Sequence, residues 1–284
     1  MLNSFFPVDR QIEDIGIIDT KRIISFLFVT YGVDFSNYSL TSLKRRFIFV
    51  IQKNRIKSID DFVQKLENKD FFEKALFDIT VNTTEFFRDP SFWREFIHLI
   101  AEKIDTTLSY KIWLPDCASG EELYSLAIIL SEENVLDKVK IFATNISLEK
   151  IEFVKQGIYE EKREDVNDAN YKRINLKHNF ENYYKSIGNN KFQMDQTLLR
   201  NVEFSHSYNL STNAPQGIKF VLFRNSMIYF NKSLQNETID IIYNSLLPGG
   251  YLAIGNKESI NILESERKYK IISDSERIYQ KMAR

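Results

Sequence analysis

The chain has 284 residues, 43% of them hydrophobic and 27% charged, with 38 Lys+Arg against 39 Asp+Glu for a net charge of −1. That length is about two domains' worth at roughly 150 residues per domain, and the composition excludes disordered, collagenous and low-complexity classes. No apolar run approaches the roughly 18 residues of a membrane span. The balanced charge excludes a bulk electrostatic grip on nucleic acid, so a charged partner must meet a local patch. The single Cys117 cannot form an internal disulfide, and residues 1–10 lack the basic start and apolar stretch of a secretory signal, so a cytoplasmic protein is expected. His98, His178 and His206 are scattered, with no Cys/His pair at ligand spacing, and no metal site is predicted.

From Asp19 to about Ile79 apolar residues recur at three- and four-residue steps, as in Ile23-Ile24-Leu27-Phe28, Leu43-Phe47-Val50-Ile51 and Phe62-Leu66. This predicts a small all-helical domain over 1–80, broken near Gly32 and Asp34. Residues 81–91 read as an interdomain joint. Asp89-Pro90 reads as an N-cap followed by proline at the first helical position, opening a helix with Phe92, Trp93, Phe96, Ile97 and Ile100 on one side.

After Ser109 short apolar strands alternate with helices: strand 111–114, helix 121–130, strand 139–144, helix 148–156, strand 219–223 and helix 234–246. Leu247-Pro248-Gly249-Gly250 reads as a turn leading into strand 251–255, and 268–273 with 277–281 as a closing strand pair. The rhythm predicts an α/β domain over 92–284, built on a doubly wound sheet. An Asn- and Lys-rich insertion spans 158–202, with 186–190 as a hairpin tip.

Four segments carry chemistry. Asp116-Cys117-Ala118-Ser119-Gly120-Glu121-Glu122 follows the first α/β strand, where ligands of such sheets sit. Two glutamates there repel phosphate and suit a cation, so Glu122 could receive an amine; alternatively the pair complements the helix dipole. Asn145 ends the second strand, where nucleoside-binding sheets often place a ribose-binding carboxylate. The neutral amide forgoes about 1 kcal/mol of charge assistance, and a helix N-cap shared with Ser147 is the alternative. Asn82-Thr83-Thr84-Glu85-Phe86-Phe87-Arg88 is a polar and aromatic joint whose Phe pair, on a purely structural reading, packs on both domains. Arg224-Asn225, with Met227-Ile228-Tyr229-Phe230, resembles a ligand-facing lip, or else a capped turn with Tyr229 in the core.

Taken in order, these residues resemble the CheR family, the S-adenosylmethionine-dependent methyltransferases that esterify glutamate side chains of bacterial chemoreceptors. The resemblance runs from about Asp19 to the C-terminus and includes Tyr31-Gly32-Val33-Asp34, Leu43-Lys44-Arg45-Arg46, Phe86-Phe87-Arg88, Ser119-Gly120-Glu121-Glu122 and Arg224-Asn225. It implies a class I methyltransferase (Rossmann-like) fold with a helical N-terminal receptor-binding domain and a small β-subdomain at 158–202. It also implies a site for S-adenosylmethionine and its product S-adenosylhomocysteine. Asn82, Thr84 and Arg88 would reach the cofactor from the joint, Cys117 and Gly120 from the first turn, and Glu122 would hold its amino group. Asn145 stands where the family's ribose-binding Asp is expected; Asn209 and Leu210 would border the adenine, and Arg224 with Asn225 would complete the pocket. Arg88 and Tyr229 correspond to the family's proposed catalytic pair.

Lys44, Arg45, Arg46, Lys53, Arg55 and Lys57 lie between Phe35 and Ile59 with no acidic residue among them. On the resemblance, Lys44, Arg45, Arg46, Lys53 and Arg55 would meet the acidic cytoplasmic helices of methyl-accepting chemoreceptors; a solvated helix face is the alternative. No membrane insertion is expected, other signalling proteins remain candidate partners, and no Asn/Asp-Pro-Pro-Tyr turn invites a nucleic acid.

Several positions depart from the family's pattern. Ser119 stands for Thr, Leu123 for Pro, Pro115-Asp116 for small residues, Asn145 for Asp, Lys219 for Asp, and Asn256-Lys257 for the His-Ser that precedes Glu258. Together they predict cofactor binding weaker by about tenfold or more if about 1.4 kcal/mol is lost. Two functions are therefore carried forward: an active protein-glutamate O-methyltransferase, and a non-catalytic relative that senses the cofactor or binds proteins.

Overall fold

The computed structural model describes residues 12–80, 84–104, 109–161, 164–260 and 268–283. The chain divides into two compact units, Met1–Thr80 and Val81–Arg284.

In the first unit the described residues form helices α1 (Ile17–Tyr31), α2 (Leu40–Lys53), α3 (Ile59–Leu66) and α4 (Lys69–Ile79). Punctuation visible in the sequence sets these limits. Gly32 stops α1 in the left-handed region at φ 74°. Ser39, Ser58 and Asn68 cap the next three, each side chain accepting the backbone N–H three residues on. The apolar stripes meet in a core of Ile23, Leu27, Phe47, Val50, Phe62, Leu66, Phe72 and Leu76, all fully enclosed. Tyr31 stacks on Phe72 at 3.7 Å between centroids, and its hydroxyl donates to the Leu66 carbonyl at 2.6 Å.

The second unit opens with helix α5 (Pro90–Lys103), strand β1 (Tyr110–Leu114), helix α6 (Glu121–Glu132), strand β2 (Val139–Asn145) and helix α7 (Leu148–Gln156). The insertion folds as β3 (Ile158–Glu160), α8 (Glu164–Ile174), β4 (Tyr184–Gly188) and β5 (Lys191–Met194). Then come β6 (Val202–His206), β7 (Ile218–Phe223), α9 (Lys232–Ser245), β8 (Leu246–Ile254), β9 (Tyr269–Ser273) and β10 (Ile278–Lys281).

Seven strands form one sheet in the order β6-β2-β1-β7-β8-β10-β9, parallel except for β10, which runs antiparallel to both neighbours. Alternation along the strands sends Ile112, Leu114, Phe220 and Leu222 to the face packed with α5 and α6. Trp113, Val221 and Phe223 point to the opposite face with Ile239 and Ile242 of α9. A second, antiparallel sheet, β3-β5-β4, is the insertion's own. Asn189 and Asn190 join β4 to β5 with φ of 54° at both, a two-residue turn at the expected hairpin tip.

The turn expected at 247–250 lies inside β8, because Leu246 pairs with Ile218 and a register shift, with Gly249 at φ 73°, carries the chain onward to Tyr251. Phe86 and Phe87 both sit in the second unit's core. There the Phe86 N–H donates to Asn167 Oδ1 and the Phe87 N–H to Ser125 Oγ. Asp89 stands at the expected N-cap position of α5, with Pro90 as the first helical residue, but its side chain does not cap the helix. It adopts a left-handed φ of 58° with no side-chain cap bond, and its carboxylate is used elsewhere.

Candidate active site

Order reverses in the large sheet between β1 and β7, whose crossovers leave in opposite directions, and ligands of open α/β sheets bind outside the carboxyl ends at such a point. A cleft lies there. It is lined by Thr84, Arg88 and Trp93 from the segment leading into α5, by Asp116, Cys117, Ala118 and Glu122 after β1, and by Arg224, Asn225 and Tyr229 after β7. Of the cofactor positions expected from the sequence, Thr84, Arg88, Cys117, Glu122, Arg224 and Asn225 converge on it, and so does Tyr229. Asn82 lies outside the described residues.

The centre of the cleft is an ion-pair bridge. The Arg224 side chain, 2% exposed, donates through one terminal nitrogen to Glu122 Oε1 at 2.8 Å and through the other to Asp89 Oδ2 at 2.7 Å. Its guanidinium lies 3.9 Å from the Phe92 ring centroid, and its Nε has no hydrogen-bond partner among the described residues. Burial raises the Glu122 carboxyl above its ordinary 4.5, and the Arg224 pair and Arg88 only partly oppose it. Desolvation prevails because Arg224 divides its charge between two carboxylates. Glu121, beside it, takes the local role: Ser119 Oγ donates to it at 2.6 Å at the start of α6.

Four non-glycine residues around the cleft sit in the left-handed region: Phe87 (φ 53°), Asp89 (58°), Ala118 (43°) and Asn225 (63°). Phe87 and Asp89 flank Arg88, so the turn that presents its guanidinium is strained on both sides, as binding sites often are. Arg88 is half-buried, and its side chain has no hydrogen bond or ion pair among the described residues. The Tyr229 hydroxyl is likewise unpartnered among them. A cation and a hydroxyl donor thus share a cleft with a carboxylate.

Cys117 is 1% exposed, and burial pushes its thiol up to about 12, so it is a packing group and no nucleophile at neutral pH. Gly120 does not line the cleft. At φ 96°, a Cβ there would stand 2.7 Å from Tyr159 Oη and 2.8 Å from Val154, so the glycine serves turn geometry and close packing.

Asn145 also stays out of the lining. It is 1% exposed, its Nδ2 donates to the Ala118 carbonyl at 2.9 Å, and its Oδ1 accepts the Ser147 N–H at 3.0 Å. Ser147 alone caps α7, accepting the Lys150 N–H. Asn209 is exposed and held in a local turn with Ser211, and Leu210 packs on the core of the α9 face; neither lines the cleft. Lys219 stands over the Tyr251 ring at 5.3 Å, away from the cleft.

Asp116, Ser226 and Glu258 had no role assigned from the sequence. Asp116 accepts the Ala118 N–H at 3.0 Å and the Ser226 hydroxyl at 3.1 Å, tying the turn after β1 to the lip after β7. A polar residue directly after a strand was the available signal.

In the first unit the acid-free stretch does not remain acid-free in space. Lys44 pairs with Asp14 at 2.6 Å and Lys53 with Asp78 at 2.7 Å. Arg45, Arg46 and Arg55 have no ion pair among the described residues, and Arg45 and Arg55 are exposed.

Numbered in chain order, the large sheet runs 3-2-1-4-5-7-6 with strand 7 antiparallel. That order, with a cleft beyond strands 1 and 4, defines the class I S-adenosylmethionine-dependent methyltransferase fold. Residues 82–278 match the family described as CheR methyltransferase, SAM binding domain, and residues 18–82 match CheR methyltransferase, all-alpha domain. The chain belongs to the CheR methyltransferase family. It is 30% identical to the Cher3 protein of Pseudomonas putida over 93% of this chain and 97% of that one. It is 29% identical to a chemotaxis protein methyltransferase of Borreliella burgdorferi over 85% and 88%, and 26% identical to chemotaxis protein methyltransferase 2 of Vibrio cholerae over 89% and 90%. No described helix is long and apolar enough to cross a membrane.

The cofactor is S-adenosylmethionine, and the donor set fits it. The molecule carries an ammonium, a carboxylate and a sulfonium, and the cleft offers the Glu122 carboxylate together with Arg88 and the Nε of Arg224, both without a hydrogen-bond partner among the described residues.

Proposed function

We propose that this chain transfers the methyl group of S-adenosylmethionine to glutamate side-chain carboxylates of chemoreceptors. Membership of the CheR family and relatives named chemotaxis protein methyltransferases support the reading. The observation that carries it is the Arg88 guanidinium, without a hydrogen bond or ion pair among the described residues, lining the same cleft as Glu122 and Tyr229.

Bound S-adenosylmethionine supplies a methyl on a positively charged sulfur; an ionised carboxylate oxygen forms the new bond while the sulfur keeps the electron pair. No strong base is needed, because the acceptor is already ionised at neutral pH. The work left to the protein is alignment and removal of water. Glu122 holds the cofactor's ammonium, and Thr84, Arg224 and Asn225 complete its pocket. Arg88 attracts and orients the incoming carboxylate, and the Tyr229 hydroxyl hydrogen-bonds to it. Arg45, Arg46 and Arg55, without an ion pair among the described residues, are the charges with which the first unit would meet an acidic receptor helix, whereas Lys44 and Lys53 would first have to leave Asp14 and Asp78.

The test is transfer of labelled methyl to receptor cytoplasmic fragments, with alkaline release of labelled methanol reporting a carboxyl ester. Release that disappears in Arg88→Ala while S-adenosylhomocysteine still binds supports the assignment. Turnover by Arg88→Ala at the natural rate contradicts it. A second reading, a cofactor-sensing or protein-binding relative without turnover, is favoured by Asn145, whose side chain is spent inside the fold. Cofactor binding with no acceptor among the receptor fragments would select it.

A further inference from the structure

We propose that Glu258 is a positioning residue of the cofactor cleft: its carboxylate grips the backbone of the 224–229 lip and thereby sets Asn225 and Tyr229. The ligand used in the test rests on the function proposed above. Glu258 follows β8, is 6% exposed and does not line the cleft. Its Oε2 accepts the N–H of Asn225 at 2.9 Å and of Gly255 at 2.6 Å, and its Oε1 accepts the N–H of Ile228 at 3.1 Å.

Those amides need such a partner. Asn225 has a left-handed φ of 63°, and the lip makes only a single short turn, with the Tyr229 N–H bonded to the Ser226 carbonyl at 3.3 Å. The inward amides of residues 225 and 228 find no acceptor in that turn, and a buried N–H left unpaired is costly. One carboxylate satisfies both, together with the end of β8. The seating is close: a Cβ on Gly255 would fall 2.4 Å from Asn225 Nδ2 and 2.8 Å from its backbone nitrogen. Burial raises the Glu258 carboxyl above its ordinary 4.5, and the amides of Gly255, Asn225, Ile228 and Met227 oppose the rise, as they do for a carboxylate that earns its place as an acceptor.

The experiment uses the full chain and Glu258→Gln, which keeps the size but turns one acceptor into a donor. Titration with S-adenosylhomocysteine is expected to give an affinity weaker by about tenfold. Amide hydrogen exchange is expected to quicken by about tenfold at Asn225 and Ile228, with no change in β7 and β8. A role limited to overall stability would instead speed exchange throughout and leave the affinity of the folded protein alone. Glu258→Gln binding within about twofold of the natural chain, with both amides still protected, overturns the proposal. If Glu258→Gln does not fold, Gly255→Ala presses on Asn225 with Glu258 intact; unchanged affinity there overturns it equally. If the natural chain fails to bind the ligand, the functional reading falls, and the exchange at Asn225 and Ile228 decides Glu258 by itself.

Discussion

Arg224 and Glu122, 102 residues apart in the chain, meet at 2.8 Å where β7 and β1 end side by side. The same guanidinium holds Asp89 at the start of α5, so one buried cation joins three walls of the cleft.

Removing that cation leaves two carboxylates facing each other in a poorly solvated site. Arg224→Met is expected to lower the unfolding free energy by about 3 kcal/mol, read from urea denaturation at neutral pH. A loss below about 0.5 kcal/mol would mean that water screens the bridge as it does a surface pair.

Tyr229 and the cofactor's grip are separable. Tyr229→Phe is expected to reduce turnover, by up to about a hundredfold if acceptor alignment is lost, while calorimetry shows S-adenosylhomocysteine affinity unchanged. An equal fall in both would place the hydroxyl on the cofactor.

The raised Glu122 carboxyl gives affinity a pH dependence of fixed sign. As pH falls through its value, which burial holds above 4.5, the carboxylate takes up a proton and loses its charge for the ammonium. S-adenosylhomocysteine affinity is therefore expected to weaken on acidification while ordinary carboxyls are still ionised. Glu122→Gln should bind more weakly at pH 7 and lack that part of the pH dependence.

The Asn145→Asp change restores the family's usual residue, yet the geometry predicts a loss. Asp cannot donate to the Ala118 carbonyl, 2.9 Å from Asn145 Nδ2, and would set a carboxylate against it. A destabilisation of about 1 to 3 kcal/mol with no gain in cofactor affinity is expected; tighter binding would show that the side chain turns outward to the ligand.

Local structure was legible wherever capping chemistry carried it. Helix α7 has the bounds read from the sequence because Ser147 caps it and Gly157, at φ 62°, stops it. Strand β6 escaped notice: it is an edge strand with no fully buried residue, so its apolar alternation is faint. The entry into β8 was hidden by Pro248-Gly249-Gly250, a composition that usually means a turn and here accommodates a register shift. Within the site, it was the family resemblance that pointed to Arg88, Glu122, Arg224 and Tyr229 together, and all four line the cleft. Asp89 was not, because a carboxylate before proline reads equally as a cap or as a distant ion-pair partner. Glu258 was visible only as a leftover of a motif, since its partners are backbone amides 33 and 30 residues earlier.

The most direct measurement is calorimetric titration of the full chain with S-adenosylmethionine and S-adenosylhomocysteine, beside Glu122→Gln. One site of about micromolar affinity or tighter is expected, weakened by about tenfold or more in the variant. No binding by the natural chain, or binding indifferent to Glu122, would contradict the assignment of this cleft as the cofactor site.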